Sequence, residues 1–342
     1  MQAVWCDEMA SPFTAGLMRH AAADMREGGP VDALIGDWPG NPIADALMMR
    51  FAGALHAAAL SGRDERLAAL YPGNNPAWRM GDVWPAALDF LWREQDWVHT
   101  FLKSPPQTNE TRRSIGLLPA FLSLARNGPM HLLEIGASAG LNQMWDRFRY
   151  ETSSWSWGEK GGPFIDTDWR GAAPAHLDVR PVIASRAACD QNPLDVRNPD
   201  HVLRLSAYIW ADQPERFTRL QAAIALAREA DVRVERADAA QWVAARLGGE
   251  LQRGTTVLYH SVVWQYLTDE SRKAITAAVE AAGARATPDR RLAWLRYEAL
   301  PAFGLEGPID HMAVQVRSWP GDEAHVLLRA DGHTRWVEFS GN

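Results

Sequence analysis

Apolar residues recur three and four positions apart from Met9 to about Gly128, with breaks where Pro and Gly cluster. That spacing gathers the apolar side chains of each segment onto one face. It predicts helices over Pro12–Arg26, Ile43–Ser61, Arg63–Leu70, Trp84–Lys103 and Glu110–Arg126. Gly28-Gly29-Pro30, Pro72-Gly73-Asn74-Asn75-Pro76 and Ser104-Pro105-Pro106 read as loops. Beyond residue 129 the period changes, and short apolar or alternating runs take turns with helical ones. His131–Ile135, Val179–Arg186, Val232–Arg236, Thr255–His260 and Arg291–Glu298 read as strands. Between them lie helical patterns at Pro199–Ala230, interrupted near Asp212-Gln213-Pro214, at Ala240–Leu247 and at Ser271–Ala282. Val314–Ser318, His325–Arg329 and Thr334–Phe339 alternate as antiparallel strands, with a turn at Asp331-Gly332. The reading is a helical cap over residues 1–128 and an α/β domain with a mostly parallel sheet over 129–342. A Trp-rich, hairpin-like insertion occupies about 150–178, with Trp155, Trp157, Trp169 and Gly161-Gly162-Pro163.

The change of period falls on Leu132-Leu133-Glu134-Ile135-Gly136-Ala137-Ser138-Ala139-Gly140-Leu141-Asn142. An apolar run ends in an acid, small residues follow, and a helix-like pattern runs from Leu141 to Arg149. This predicts strand, tight turn, helix. Gly136 and Gly140 suit sharp backbone bends, and small Ser138 lets a ligand approach the main chain. Backbone N–H groups at a helix start would suit a carboxylate or phosphate. The same letters spell Gly-x-Ser-x-Gly, the nucleophile elbow of α/β-hydrolases, with Ser138 as nucleophile and His311, His325 or His333 available as its partner. A dinucleotide site or a purely structural turn also fits the letters. Position favours a sheet that begins here, because an elbow normally follows several strands and this turn follows a long helical region.

Composition narrows the classes. A chain of 342 residues is long enough for two domains. Lys plus Arg number 35 against 42 Asp plus Glu, and the net charge of -7 argues against a broad nucleic-acid-binding surface. Cys6 and Cys189 make no disulfide framework or metal cluster, which suits a reducing cytoplasm. Asp7 and Glu8 interrupt any basic-then-apolar leader pattern, so no signal peptide is expected. Apolar runs such as Phe51-Ala52-Gly53-Ala54-Leu55 are too short for a bilayer. The 16 tryptophans serve packing or line an aromatic pocket.

The pattern Glu134-x-Gly136-x-Ser138-x-Gly140-x-Asn142 resembles motif I of the Rossmann-like, S-adenosylmethionine-dependent methyltransferases, where the middle position is more often Gly. The resemblance implies a Rossmann-like seven-stranded sheet closed by an antiparallel hairpin. It places Glu134, Gly136, Ser138, Gly140 and Asn142 at the methionine and ribose end of the cofactor. Asp190, or else Asp195, would meet the ribose, and Asp238 with Ala239 the adenine; Asp238 reads equally as a helix N-cap. His260, Ser261, Trp264, Gln265 and Tyr266 follow the strand Thr255–His260 and should face the same crevice as Gly136. His260 is a candidate general base, its ordinary pKa of roughly 6.5 lying near working pH, or else structural. Tyr266 and Glu110 are the other catalytic candidates. Arg296 and Glu298 border the pocket or form a surface ion pair.

Gln107-Thr108-Asn109-Glu110-Thr111-Arg112-Arg113 reads as a helix start, which leaves Gln107 and the paired arginines unexplained. Together with the Gly136 turn, Ser11-Pro12 and Asp190-x-Asn192-Pro193-Leu194-Asp195, it resembles a bacterial family, domain of unknown function 2332, over nearly the whole chain. That family carries no established activity; on the methyltransferase reading Gln107, Asn109 and Glu110 from the cap would close the site, and Arg113 would hold a carboxylate of cofactor or substrate. The expected activity is metal-free methyl transfer from S-adenosylmethionine to a small or medium-sized acceptor, by in-line displacement at a sulfonium methyl. A methyltransferase scaffold kept as a ligand sensor or interaction module is the non-catalytic alternative.

Overall fold

The computed structural model describes residues 2–341 and divides the chain into two compact units. One comprises Met1–Thr108 with Arg197–Thr218, the other Asn109–Val196 with Arg219–Asn342.

The first unit is helical. Its centre is the helix Leu47–Ser61, apolar almost all round and buried from Phe51 to Ala59. Around it pack Pro12–Arg26, Pro30–Ile35, Glu65–Leu70, Met80–Arg93, Gln95–Leu102 and Pro199–Ala207. Two expected helices differ. The segment from Ile43 begins only at Leu47, because the Asn41 side chain accepts the Ile43 and Ala44 N–H groups and holds a turn there. Trp84–Lys103 is two helices, broken at Glu94, which leaves helical φ/ψ and receives Arg63 at 2.9 Å. Ser11-Pro12 is explained within this unit. Asp212 accepts both the Ser11 hydroxyl at 2.5 Å and the Phe13 N–H at 2.8 Å, so a distant carboxylate caps the Pro12 helix. His56 is buried, and desolvation lowers its pKa to about 4.

The second unit is a mixed α/β assembly around a nine-stranded sheet. In chain order the strands are β1 (Met130–Ile135), β2 (Arg149–Glu151), β3 (Ser156–Trp157), β4 (Phe164–Asp166), β5 (Asp168–Arg170) and β6 (Ile183–Asp190). Then follow β7 (Glu235–Arg236), β8 (Gly254–Ser261), β9 (Arg290–Ala299), β10 (His311–Trp319), β11 (Glu323–Asp331) and β12 (Trp336–Phe339). The large sheet has the order β5-β12-β11-β10-β9-β8-β1-β6-β7. β7, β6, β1, β8 and β9 run parallel, and β10, β11 and β12 continue as an antiparallel meander. The expected seven strands are thus nine in a mixed sheet. All three C-terminal segments pair, and the Trp-rich segment adds β5 beside β12 while β2, β3 and β4 form a small sheet of their own.

β1 and β8 are buried almost throughout, as strands covered on both faces must be. Ala239–Leu247 and Asp269–Gly283 cover one face through Trp242, Val243, Ile275 and Val279, packed with Leu133, Leu258 and Trp294. Ser114–Ala125 packs on β9, β10 and β11. It comes so close that a Cβ on Gly116 would stand 2.9 Å from the Tyr297 ring.

The helix expected over Leu141–Arg149 is instead a 3₁₀ segment, Leu141–Arg147, kinked at Met144, whose φ of -100° and ψ of 20° are not helical. Its carbonyls are taken from outside. Arg186 binds the Gln143 carbonyl together with the Asp146 carboxylate, and the Tyr150 hydroxyl donates to the Trp145 carbonyl at 2.8 Å. Trp145 meanwhile stacks on Phe121 at 4.1 Å. Val232–Arg236 is likewise mostly irregular, since only Glu235 and Arg236 pair. Val232 and Val234 lie instead against Gly140, each within 2.8 Å of where its Cβ would be.

Candidate functional site

The chain runs from β1 to β6 and β7 on one side, then crosses to β8 and β9 on the other. Strand order therefore reverses between β1 and β8, and the loops leaving their carboxyl ends define the place where open α/β sheets take ligands. Gly136 and Gly140 have φ of 64° and 72°, as the tight turn requires. A Cβ on Gly136 would lie 2.3 Å from Val263 Cγ2, so the loops after β1 and β8 touch at this glycine. Two other residues here hold the left-handed region without being glycine, Ser138 at 53° and Val262 at 57°. For a β-branched valine this stores strain, of the order of 1–3 kcal/mol.

Asp190 pins the turn to β6. One carboxylate oxygen accepts the Ser138 N–H at 2.8 Å and the other the Asn192 N–H at 2.8 Å. The Leu194 N–H reaches the Ser138 carbonyl at 3.1 Å, and the Ala137 N–H reaches the Cys189 carbonyl at 3.1 Å. The Asp190–Asp195 motif is thus the brace of the Gly136 turn. From the other side Asn109 Oδ1 accepts the Leu141 N–H at 2.9 Å, and Asn142 donates to the Glu110 carbonyl at 3.4 Å. Glu110 is buried, its carboxylate accepting the Arg112 N–H at 3.1 Å and lying 3.9 Å from Arg219. Arg113 donates to the Gly332 carbonyl at 3.0 Å and the Ser261 carbonyl at 3.4 Å, tying the end of β8 to the turn after β11. Gln107 belongs to the helical unit.

Beneath the turn, Glu134 is buried on β1. Desolvation pushes its carboxyl up to about 8, and the nearby charge of Asp190 adds to the rise. The Tyr259 hydroxyl, donating to Oε2 at 3.2 Å, opposes it. Asp238 caps Ala239–Leu247 by accepting the Gln241 N–H at 3.0 Å. It stands near Asp190, because the Ala237 N–H bonds the Asp190 carbonyl at 3.0 Å.

His260 is fully buried, with both ring nitrogens engaged. Nδ1 lies 2.6 Å from Glu298 Oε1, and Nε2 accepts the Trp294 indole N–H at 3.2 Å. This network assigns the neutral tautomer with its proton on Nδ1. Glu298 also accepts the Val263 N–H at 2.9 Å, and Trp264 stacks on the imidazole at 5.5 Å. Trp264 is partly buried and Gln265 exposed, while Tyr266 is 77% exposed.

The structure thus gathers Asn109, Glu110, Gly136, Ser138, Gly140, Asn142 and Asp190 at one turn, with Val263 closing against it. Among the described residues, the polar atoms Ser138 Oγ, Asn142 Oδ1 and Gln143 Nε2 are buried there without a hydrogen-bond partner. Sequence reasoning missed Val263, and with it Glu298 and Trp294 as the cradle of His260. The alternation of Trp294, Arg296 and Glu298 on one strand was the available signal. No helix among the described residues is long and apolar enough to cross a membrane. A family model described as an uncharacterized protein conserved in bacteria, DUF2332, matches residues 1–339. Comparisons with curated proteins and with solved structures gave no match.

Proposed function

The chain belongs to the bacterial DUF2332 family, and on that premise we propose that it is a methyltransferase that binds S-adenosylmethionine where the sheet order reverses. The observation that carries the reading is the acidic pair Asp190 and Asp238 at the ends of neighbouring strands, beside a glycine turn with orphaned buried polar atoms. These residues fit the group. Asp190 keeps a second lone pair on each oxygen for ribose hydroxyls, Asp238 suits an exocyclic amine, and Ser138 Oγ and Asn142 Oδ1 are unspent. The bound cofactor would supply an electrophilic sulfonium methyl, and the chain's task is then to align an acceptor with it. Trp264, Gln265 and Tyr266 rise from the end of β8 on the acceptor's side. His260 positions them, since Glu298 holds both its ring and the Val263 amide. The sheet departs from the expected pattern in its nine strands and in the 3₁₀ segment after the turn, so binding rests on side chains and not on a helix N-terminus.

Calorimetry of the full chain with S-adenosylmethionine and S-adenosylhomocysteine tests this. Micromolar binding is expected, weakened about tenfold or more by Asp190→Asn and by Asp238→Ser, which keeps an N-cap oxygen but removes the charge. Absence of binding to the folded protein would overturn the reading, and binding without turnover on any acceptor would favour a sensor. The left-handed backbone of Ser138 favours a second reading, a hydrolase elbow. That reading needs a base, and Ser138 Oγ has no hydrogen-bond partner among the described residues. An esterase activity abolished by Ser138→Ala would support it.

A further inference from the structure

Arg296 is a partly buried cation that has no carboxylate in ion-pair range among the described residues. It stands on β9 opposite Gln315 of β10, and its one hydrogen bond among the described residues runs from Nη2 to the neutral Gln315 Oε1. Nε is buried with no acceptor among the described residues. Aromatic rings enclose the guanidinium, whose carbon lies 4.4 Å from the Trp294 centroid, 4.8 Å from Phe303 and 6.0 Å from Trp264. Burial lowers its pKa to about 10 in spite of Glu298, so the charge is poorly compensated although still present.

The neighbouring residues sharpen the contrast. Arg317, opposite Trp294 on the same face, is neutralised by Glu280 at 3.0 Å and Asp322 at 2.6 Å. Glu298, two residues along β9, spends Oε1 on His260 and the Val263 N–H. A desolvated guanidinium with unspent donors and flat apolar walls is the arrangement that takes a carboxylate in a fork of hydrogen bonds. The walls come from the carboxyl ends of β8 and β9. Trp264 begins the 3₁₀ turn that ends in exposed Tyr266, and Phe303 ends the 3₁₀ turn after β9.

We propose that Arg296 anchors a carboxylate-binding site for a small aromatic or aliphatic acid, whose apolar part lies against Phe303 and Trp264. As a binding site it stands independently of the cofactor. As the anchor of the methyl acceptor it rests on the methyltransferase reading.

The test titrates the full chain, without cofactor, with benzoate, phenylacetate and hexanoate and with the three matching amides. Binding is followed by tryptophan fluorescence, which Trp264 and Trp294 should report, and checked by calorimetry. At least one acid should bind about tenfold or more tightly than its amide. Arg296→Met should erase that preference and raise the melting midpoint, because an uncompensated buried charge is gone. Arg296→Lys keeps the charge but not the fork, and should weaken the acid several-fold while retaining the preference. Equal affinity for acid and amide in all three pairs, no binding of any acid, or a preference that survives Arg296→Met would overturn the proposal. Each outcome is independent of whether S-adenosylmethionine binds.

Discussion

Glu134 offers the sharpest quantitative test of how the sheet carries its buried polar groups. Its carboxyl sits on central strand β1, and desolvation raises its pKa from 4.5 to about 8. The folded state therefore holds a proton that the unfolded chain releases above its own, lower pKa. Between the two values the folded state binds more protons than the unfolded one, so stability falls as pH rises. The full contribution is present below the unfolded pKa and is lost by the folded value. Integrated from pH 5 to pH 8, the loss is about 3.5 kcal/mol. Glu134→Gln keeps an acceptor for the Tyr259 hydroxyl, 3.2 Å away, and cannot ionise. Urea unfolding of both proteins at pH 5 and pH 8 isolates the term, because all other titrating groups cancel in the difference. The glutamine protein should gain about 3.5 kcal/mol in stability over the wild type between pH 5 and pH 8, about 1 kcal/mol of the wild-type advantage having already gone by pH 5. The same change with pH in both proteins would refute the reasoning, and would mean that Glu134 ionises freely in the folded state.

Three further outcomes follow from the same geometry. Gly136→Ala should destabilise by about 2 kcal/mol or more through the left-handed φ and the clash with Val263, and Val263→Ala in the same chain should recover the clash part, read by a double-mutant cycle of unfolding free energies. Asp238→Ala should cost about 1 kcal/mol from the lost N-cap and Asp238→Ser much less, so equal losses in thermal unfolding would show that the carboxylate is not the cap. Glu298→Leu leaves the His260 Nδ1–H and the Val263 N–H buried without an acceptor, and should cost about 2–4 kcal/mol in denaturant unfolding. A loss below about 1 kcal/mol would show that the His260 cradle adds little to stability.

Periodicity by itself determined the helices and strands that bury an unbroken face. Pro12–Arg26 lies where its three-and-four spacing puts it, and the strands around Thr255–His260 and Arg291–Glu298 extend their apolar runs by only a residue or so at each end. Glycines at 136 and 140 marked the turn because no other residue fits where Val263, Val232 and Val234 press on the backbone. Tertiary structure decided what local patterns leave open. The segment after the turn becomes 3₁₀ because Arg186, far along the chain, captures the Gln143 carbonyl, and Val232 and Val234 leave the ladder to cover Gly140. Sheet order and strand number depend on pairing between segments that share no local signal, as when Trp169 joins Val337 at the sheet edge. The site divides in the same way. The acids and glycines were legible as letters, but whether His260 has a free nitrogen, or Arg296 a counter-ion, depends on which side chains converge from other strands, because burial and pairing are properties of the assembled core.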